Sequence, residues 1–226
     1  MDLWVLGPLQ VVGDDGRCIA VASRAQCRLL SRLAVDAHSV VRAAVLEDDL
    51  GLTASALRTS VSRLRVVIGA DHVVTSPVGY ELRPTRFDVA DFEAHLARAR
   101  EAPAAEARAA VEVALGLWSG DAFVDVADEP WAITEVARLT ELRAGAIEDL
   151  VERLLDAGEA SLALATLEPH LAAHPFREGA QVLHLRGLDP GRCQQRRRRR
   201  PCRHRPGHLQ VGRHRLRCAV APNCIR

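Results

Sequence analysis

The side chains best suited to chemistry lie on one predicted helix between Thr53 and Ile68, where an apolar stripe faces a small polar surface. The stripe has the spacing i, i+4, i+7 and i+11, which predicts a single buried helix face. Its members are Leu57, Val61, Leu64 and Ile68. The opposite face carries Ser55, Thr59, Ser62 and Val66. Arg58 and Arg65 share one flank of this face, and Arg63 lies on the other.

Such a helix suits the major groove of DNA, because its narrow front fits against base edges while guanidinium groups on both flanks reach phosphates. Two alternating strands follow it, with Ser76–Gly79 between them, and predict a hairpin. The alternative is that helix and hairpin only pack, with the arginines as a solvated face. The ordered set of strands, helices and hairpin favours DNA binding. The predicted DNA-contacting residues are Arg58, Thr59, Ser62, Arg63, Arg65, Val66, Thr75 and Tyr80.

The residues before this helix predict a small sheet and two further helices. An apolar stretch at 3–12 and an extended run at 18–21 flank the turn signal Asp14-Asp15-Gly16, which predicts antiparallel strands. Helical spacing then follows Ser23, and a short helix is predicted around Ala43–Leu50. The predicted fold class is mainly α with small β, and a winged helix occupies residues 1–86.

Two segments of this first part resemble a known type of DNA-binding domain. Leu57–Arg65, followed by Thr75 and Gly79–Leu82, resembles the recognition helix and wing of the OmpR/PhoB-type winged helix. The resemblance implies that Arg63-Leu64-Arg65 contacts phosphates and bases. One difference is that Glu47–Ser55 is shorter than the corresponding loop of that type, which can touch RNA polymerase.

Residues 87–186 predict a second, helical domain. Apolar periodicity predicts helices after Phe87, over 104–118 and over 159–173, with a long helix between the last two. The predicted inner face of the long helix consists of Ile133, Ala137, Leu142, Ala146, Leu150 and Leu154. Helix pairs of this kind are typical of tetratricopeptide-like packing.

Three segments of this helical part resemble the bacterial transcriptional activator domain: 114–123, 125–131 and 137–143. In the Streptomyces antibiotic regulatory protein family this domain directly follows an OmpR-type winged helix, and the resemblance extends over about residues 3–185. It implies an activator that binds direct repeats near a promoter as a cooperative dimer and recruits RNA polymerase. Family targets are often secondary-metabolite gene clusters.

Composition excludes several classes of enzyme. All 30 basic residues are arginine, so a P-loop, a pyridoxal Schiff base and the kinase ion pair lack their lysine. The acidic run Asp121, Asp125, Asp128 and Glu129 lacks the ligand spacing of a calcium loop. His95, His170, His174 and His184 show neither metal-pair spacing nor a carboxylate partner. We therefore predict no enzyme activity, no cofactor and no metal.

The chain also lacks the signals of a membrane or secreted protein. No apolar run approaches the roughly 20 residues that cross a bilayer, and no basic segment precedes an apolar one at the N-terminus. The expected location is the cytoplasm.

Charge divides the chain into three segments. Residues 1–86 hold 10 arginines and 9 acids, residues 87–186 hold 8 and 19, and residues 187–226 hold 12 and one. Three interpretations of this irregular tail compete. It could be a zinc site built from Cys193, Cys202, Cys218, Cys224, His204, His208 and His214, although no Cys-x-x-Cys pair occurs. It could be a basic arm at Arg196–Arg200, or the product of a frameshift in GC-rich DNA, which we favour and which sequencing the gene would test.

Two other functions remain open beside sequence-specific activation. One is a helical-repeat scaffold whose winged helix contacts protein, and the other is a nonfunctional remnant of an activator.

Overall fold

The computed structural model describes residues 1–189, which form a mainly helical chain with two small sheets. The strands are β1 (Asp2–Trp4), β2 (Gln10–Val12), β3 (Cys18–Ile19), β4 (Val40–Arg42), β5 (Val73–Thr75), β6 (Gly79–Leu82) and β7 (Arg86–Phe87). The helices are α1 (Arg24–Val35), α2 (Ala43–Leu50), α3 (Ala54–Ile68), α4 (Asp88–Glu101), α5 (Ala104–Gly116), α6 (Pro130–Ala157), α7 (Ala160–Ala173) and α8 (Glu178–Leu188). The predicted fold class is confirmed. The three interpretations of the tail concern residues that lie outside this description, apart from the last residues of α8.

The first sheet has the strand order β3-β2-β1-β7. β1 pairs antiparallel with β2, and β2 with β3, as the apolar runs around the turn predict. β7 pairs in parallel with β1, so that Phe87 lies beside Leu3. The sequence pattern did not predict β7, because Arg86–Phe87 does not lie in an alternating or β-branched run.

The winged-helix part has its three helices where the sequence predicts them. α2 ends at Gly51, which has φ of 64°, and Thr53 Oγ1 accepts a hydrogen bond from the amide of Ala56 at the start of α3. The four apolar residues of the α3 stripe are all buried. The predicted hairpin is present as β5 and β6, and β4, which was not predicted, pairs with β6 to complete a three-stranded sheet.

Each helix from α4 to α8 packs against the next one along the chain. The expected inner face of α6 is correct in its C-terminal half, where Leu150 and Leu154 are buried, and wrong in its first turns. There Ile133 is 55% exposed, and Ala132 is buried in its place. The reason is a second partner: the start of α6 also contacts α1, where the Arg32 guanidinium lies over the Trp131 ring. None of the helices within residues 1–189 is long and apolar enough to cross a membrane.

The two parts meet along the loop between β1 and β2. Two carbonyl groups of this loop accept hydrogen bonds from the helical part. The Ser119 amide donates to the Leu6 carbonyl at 2.8 Å, and the Phe123 amide donates to the Val5 carbonyl at 2.7 Å. In the other direction, the Asp88 carboxylate accepts hydrogen bonds from the amides of Val5 and Leu6, each at 2.8 Å. The loop is thus held by groups from α4 and from the segment after α5.

The buried Asp88 makes the stability of this contact depend on pH. Burial raises the pKa of its carboxyl from an ordinary 3.8 to about 6, because desolvation outweighs the hydrogen bonds from the backbone. The folded protein therefore binds the Asp88 proton more tightly than the unfolded chain, so this group's contribution to stability is full below the ordinary pKa and is lost as pH rises through about 6. The loss amounts to about 3 kcal/mol.

Urea unfolding of the wild type and of Asp88→Asn at several pH values measures this contribution. The asparagine keeps an acceptor for the two amides but does not ionise, so other titrating groups cancel in the comparison. The free energy of unfolding of the wild type relative to the variant is expected to fall between about pH 4 and about pH 7. A difference that stays constant over this range contradicts the assignment.

Candidate nucleic-acid interface

The outer face of α3 is exposed along its length. It consists of Ser55, Arg58, Thr59, Ser62, Arg63 and Val66. α3 packs through its other side against α1, α2 and the short turn at Ala70–His72. The helix therefore presents to solvent five of the eight residues that the sequence assigned to DNA.

Two arginines of this face are available for a ligand. Six of the ten arginines in residues 1–86 already bind an acidic side chain or a carbonyl oxygen; they are Arg17, Arg28, Arg32, Arg65, Arg83 and Arg86. The side chains of the other four form no hydrogen bond or ion pair with any residue among 1–189; they are Arg24, Arg42, Arg58 and Arg63. Arg58 and Arg63 thus combine exposure with a free guanidinium.

The side chain of Arg65, unlike those of Arg58 and Arg63, is bound within the protein. Its Nε and Nη2 donate to the Val73 carbonyl at 2.9 and 2.6 Å, and Nη2 also donates to Thr75 Oγ1 at 2.7 Å. Arg65 thereby ties the C-terminal half of α3 to β5. Arg65 and Thr75, both predicted as DNA contacts, are brought together here, with Arg65 half-buried and Thr75 exposed.

Tyr80 lies in β6, opposite Val41 of β4 and Thr75 of β5. Its side chain is half-buried and packs against the core. Five of the eight predicted contacts therefore share the outer face of α3. Thr75 and Tyr80 lie on the sheet beside it, and the Arg65 side chain of α3 is hydrogen-bonded to that sheet.

The outer face is less polar than its sequence suggests. The Thr59 hydroxyl donates to the Ser55 carbonyl at 3.0 Å, and Ser55 Oγ lies 3.2 Å from Thr53 Oγ1. Ser62 has no hydroxyl partner among residues 1–189. At the C-terminal end of the face, Val66 is 85% exposed. The face thus offers the guanidinium groups of Arg58 and Arg63 and the free hydroxyl of Ser62. It also offers two aliphatic groups, the Val66 side chain and the Thr59 methyl.

Sequence reasoning did not consider Arg42, a further exposed arginine outside α3. It is the last residue of β4, directly precedes α2, and is paired with Gly79 of the hairpin. Its side chain is exposed. Its position directly before a predicted helix could have indicated a phosphate contact, because the amides of a first helical turn and a nearby cation together favour an anion.

The turn of the hairpin depends on Ser76. Its Oγ accepts hydrogen bonds from the amides of Val78 and Gly79, at 3.2 and 3.1 Å. Gly79 itself lies against β4: a Cβ at this position would be 1.9 Å from the Val41 carbonyl oxygen. Only glycine allows the two strands to approach this closely.

Two of the four residues of the acidic run, Asp125 and Glu129, hold the two parts together. Asp125 Oδ2 accepts from the Leu9 amide at 2.6 Å, and Glu129 binds Arg28, with 2.6 Å between Arg28 Nε and Glu129 Oε1. Their carboxylates are therefore occupied by contacts within the chain. Among the described residues, no group of three or more histidine, cysteine or acidic side chains could hold a metal ion.

The expectation that the histidines have no carboxylate partner is wrong for His170. Its buried Nε2 lies 3.5 Å from Glu148 Oε1, which also accepts from Arg177 Nε at 2.7 Å. Burial lowers the pKa of His170. The two residues are 22 positions apart on α6 and α7, so no spacing rule along one helix could pair them.

Comparisons with known proteins agree on the kind of molecule. The model of the bacterial transcriptional activator domain matches residues 87–197. The chain is 36% identical over 202 residues to the regulatory protein DnrI of Streptomyces peucetius, with 79% of this chain and 74% of DnrI covered. It is 33% identical over 201 residues to the regulatory protein AfsR of Streptomyces coelicolor, with 81% of this chain and 20% of AfsR covered.

A solved structure has the same architecture. Mycobacterium tuberculosis EmbR, in complex with a low-affinity phosphopeptide, superposes with a TM-score of 0.75 at 25% identity and covers 86% of this chain and 56% of that one. The AfsR of Streptomyces griseus is 34% identical over 143 residues, 61% of this chain and 15% of that protein. The chain therefore spans a fifth or less of the AfsR proteins and about three quarters of DnrI.

Proposed function

The chain belongs to the Streptomyces antibiotic regulatory protein family of transcriptional regulators, and on this premise we propose that it binds promoter DNA through the outer face of α3 and activates transcription. The observation that carries the proposal is the pair of free guanidinium groups, Arg58 and Arg63, on an exposed helix face. Five other arginines of the winged-helix part are paired with carboxylates, whereas Arg58 and Arg63 keep their positive charge uncompensated on the exposed face of α3.

The residues have different roles in this proposal. Arg63 lies near the middle of α3 along the chain, on the flank opposite to Arg58, and contacts a base edge, for which guanine offers two acceptors to a guanidinium. Arg58 on the flank and Arg42 before α2 contact phosphates and fix the helix in the groove. Arg65 is not one of the main phosphate contacts. It positions the hairpin through its hydrogen bonds to Val73 and Thr75.

Activation requires the helical part. We propose that it recruits RNA polymerase and pairs two copies of the chain on direct repeats. The promoters are those of a secondary-metabolite gene cluster, and the protein acts in the cytoplasm. α1 packs against both α3 and α6, so it connects the DNA-binding helix with the helical part. The ion pair of Arg28 with Glu129 and the contact of Arg32 with Trp131 lie at that junction. A change in the helical part could therefore reach the DNA-binding helix through one rigid element.

Electrophoretic mobility shift with DNA from the neighbourhood of the gene tests the proposal. The wild type is expected to retain a fragment of this DNA at salt concentrations that release a shuffled fragment of equal composition. No preference between the two fragments would contradict sequence-specific binding.

The phosphate role of Arg58 has its own expected result. Arg58→Ala should weaken binding to specific and shuffled DNA alike, and lower the slope of log affinity against log salt by about one, because one phosphate contact is lost. The matched control is Arg98→Ala, since Arg98 is an exposed arginine on α4 with no ion pair to another described residue. An unchanged slope in Arg58→Ala, or an equal change in both variants, removes Arg58 from the interface.

A second candidate, the interaction scaffold, is supported by exposed apolar residues on α8. Val182, Leu185 and Leu188 are 56%, 67% and 60% exposed. A scaffold does not need the outer face of α3. It would be favoured over DNA binding if the chain showed no preference for DNA from the neighbourhood of the gene over shuffled DNA, and if substitution of Arg58 and Arg63 left its weak DNA binding unchanged.

A further inference from the structure

The outer face of α3 carries two methyl-bearing side chains that fold stability does not explain. Val66 is 85% exposed, so it gains almost nothing from burial, and a β-branched residue slightly disfavours a helix. A single exposed valine is common and by itself indicates nothing. The second side chain makes it informative.

That second side chain is Thr59. Its hydroxyl donates its only hydrogen to the Ser55 carbonyl within the helix, so this exposed residue has no hydrogen-bond donor left for a base and presents its methyl and an acceptor oxygen. Thr59 precedes Val66 by seven residues, so the two lie two helical turns and about 10 Å apart on the same face. Arg63 lies between them, with its guanidinium unpaired among the described residues.

The major groove offers one apolar group that matches this pattern. Among the four bases only thymine presents a methyl group at its groove edge, while guanine presents two acceptors to an arginine. A separation of about 10 Å corresponds to about three base-pair steps of about 3.4 Å. Two aliphatic contacts around one guanidinium therefore match a guanine flanked by thymines.

We propose that Val66 and Thr59 contact the 5-methyl groups of two thymines about three base pairs apart, on either side of the base pair that Arg63 contacts. The proposal rests on the proposed function and adds the chemistry of the operator to it. Val66 and Thr59 are specificity-determining residues, because each distinguishes thymine from cytosine through a methyl group and not through a hydrogen bond.

Deoxyuridine provides the test, because it lacks the methyl of thymidine and keeps its hydrogen-bonding groups. The full chain first enriches its preferred duplex from a random-sequence library. Each thymine of that duplex is then replaced singly by deoxyuridine, and the affinity is measured at fixed salt. Replacement at two positions is expected to weaken binding by about fourfold each, the loss for one buried methyl, while the other positions change little.

Two variants assign the positions. Val66→Ala should lose the sensitivity to deoxyuridine at one of them, and Thr59→Ser, which keeps the hydroxyl and its bond to Ser55, should lose it at the other. Val113→Ala is the control, since Val113 is a 50% exposed valine on α5, and it should keep both. The inference is wrong if deoxyuridine at no thymine position weakens binding by the wild type, or if both variants remain as sensitive to deoxyuridine as the wild type. Neither result contradicts DNA binding itself. Failure of the library to yield any preferred sequence overturns the proposed function as well.

Discussion

Arg63→Ala is expected to lower affinity for the preferred DNA by about tenfold to a hundredfold and to leave affinity for shuffled DNA nearly unchanged. The reason is that a guanidinium facing a guanine makes two hydrogen bonds, which favour guanine over other bases by about 1–3 kcal/mol. A phosphate contact does not depend on the base sequence. Arg63 has no partner within residues 1–189, so its removal breaks no described contact that holds the fold. Titration of both DNAs by fluorescence anisotropy at fixed salt measures the effect.

The matched control for Arg63→Ala is Arg100→Ala. Arg100 is also an exposed arginine without an ion pair among the described residues, but it lies on α4, away from the outer face of α3. The control should bind both DNAs as the wild type does. If Arg63→Ala weakens both DNAs to the same degree, Arg63 contacts a phosphate and the assigned base contact is wrong.

Gly79→Ala is expected to destabilise the winged-helix part by about 3 kcal/mol or more. The added Cβ would lie 1.9 Å from the Val41 carbonyl oxygen, 2.8 Å from its carbonyl carbon and 2.9 Å from Arg42 Cα. All three are backbone atoms, so no side chain can rotate away, and β4 must separate from β6. Urea unfolding followed by circular dichroism measures the loss, and DNA affinity should fall with it because the hairpin moves relative to α3.

Gly145→Ala is the control for this substitution. Gly145 is an exposed residue inside α6, and a Cβ there would meet no atom within 4 Å. Alanine is expected to stabilise the helix by up to about 1 kcal/mol, because it restricts the unfolded chain and favours helix. Equal stabilities of Gly79→Ala and the wild type would show that the strands can part at little cost.

Sequence patterns predicted the elements that depend on neighbouring residues. α3 is the clearest example, because a helical period places Leu57 and Leu64 on one face and Ser62 and Val66 on the other without reference to the rest of the chain. The same local rules place the hairpin. They failed at the start of α6, where contact with α1 exposes Ile133. They also did not detect β4 or β7, which pair with strands far away in the chain, β6 and β1.

Asp88 shows a different limit. Its sequence context is that of an ordinary acid at the start of a helix, where negative charge is favourable. Only the packing of the β1–β2 loop against α4 buries it beneath the amides of Val5 and Leu6. Those partners lie more than 80 residues away, a separation at which no spacing rule operates.

The three arginines of α3 divide what the sequence determined from what the tertiary structure decided. The sequence by itself placed Arg58 and Arg65 on one flank of the helix, because positions seven residues apart share a face, and in that sense they were equivalent. The fold brings β5 back across the end of α3, so that Arg65 binds the Val73 carbonyl while Arg58 and Arg63 stay free. Which cations remain available for DNA depends on backbone acceptors contributed by another element, and helix periodicity carries no information about those.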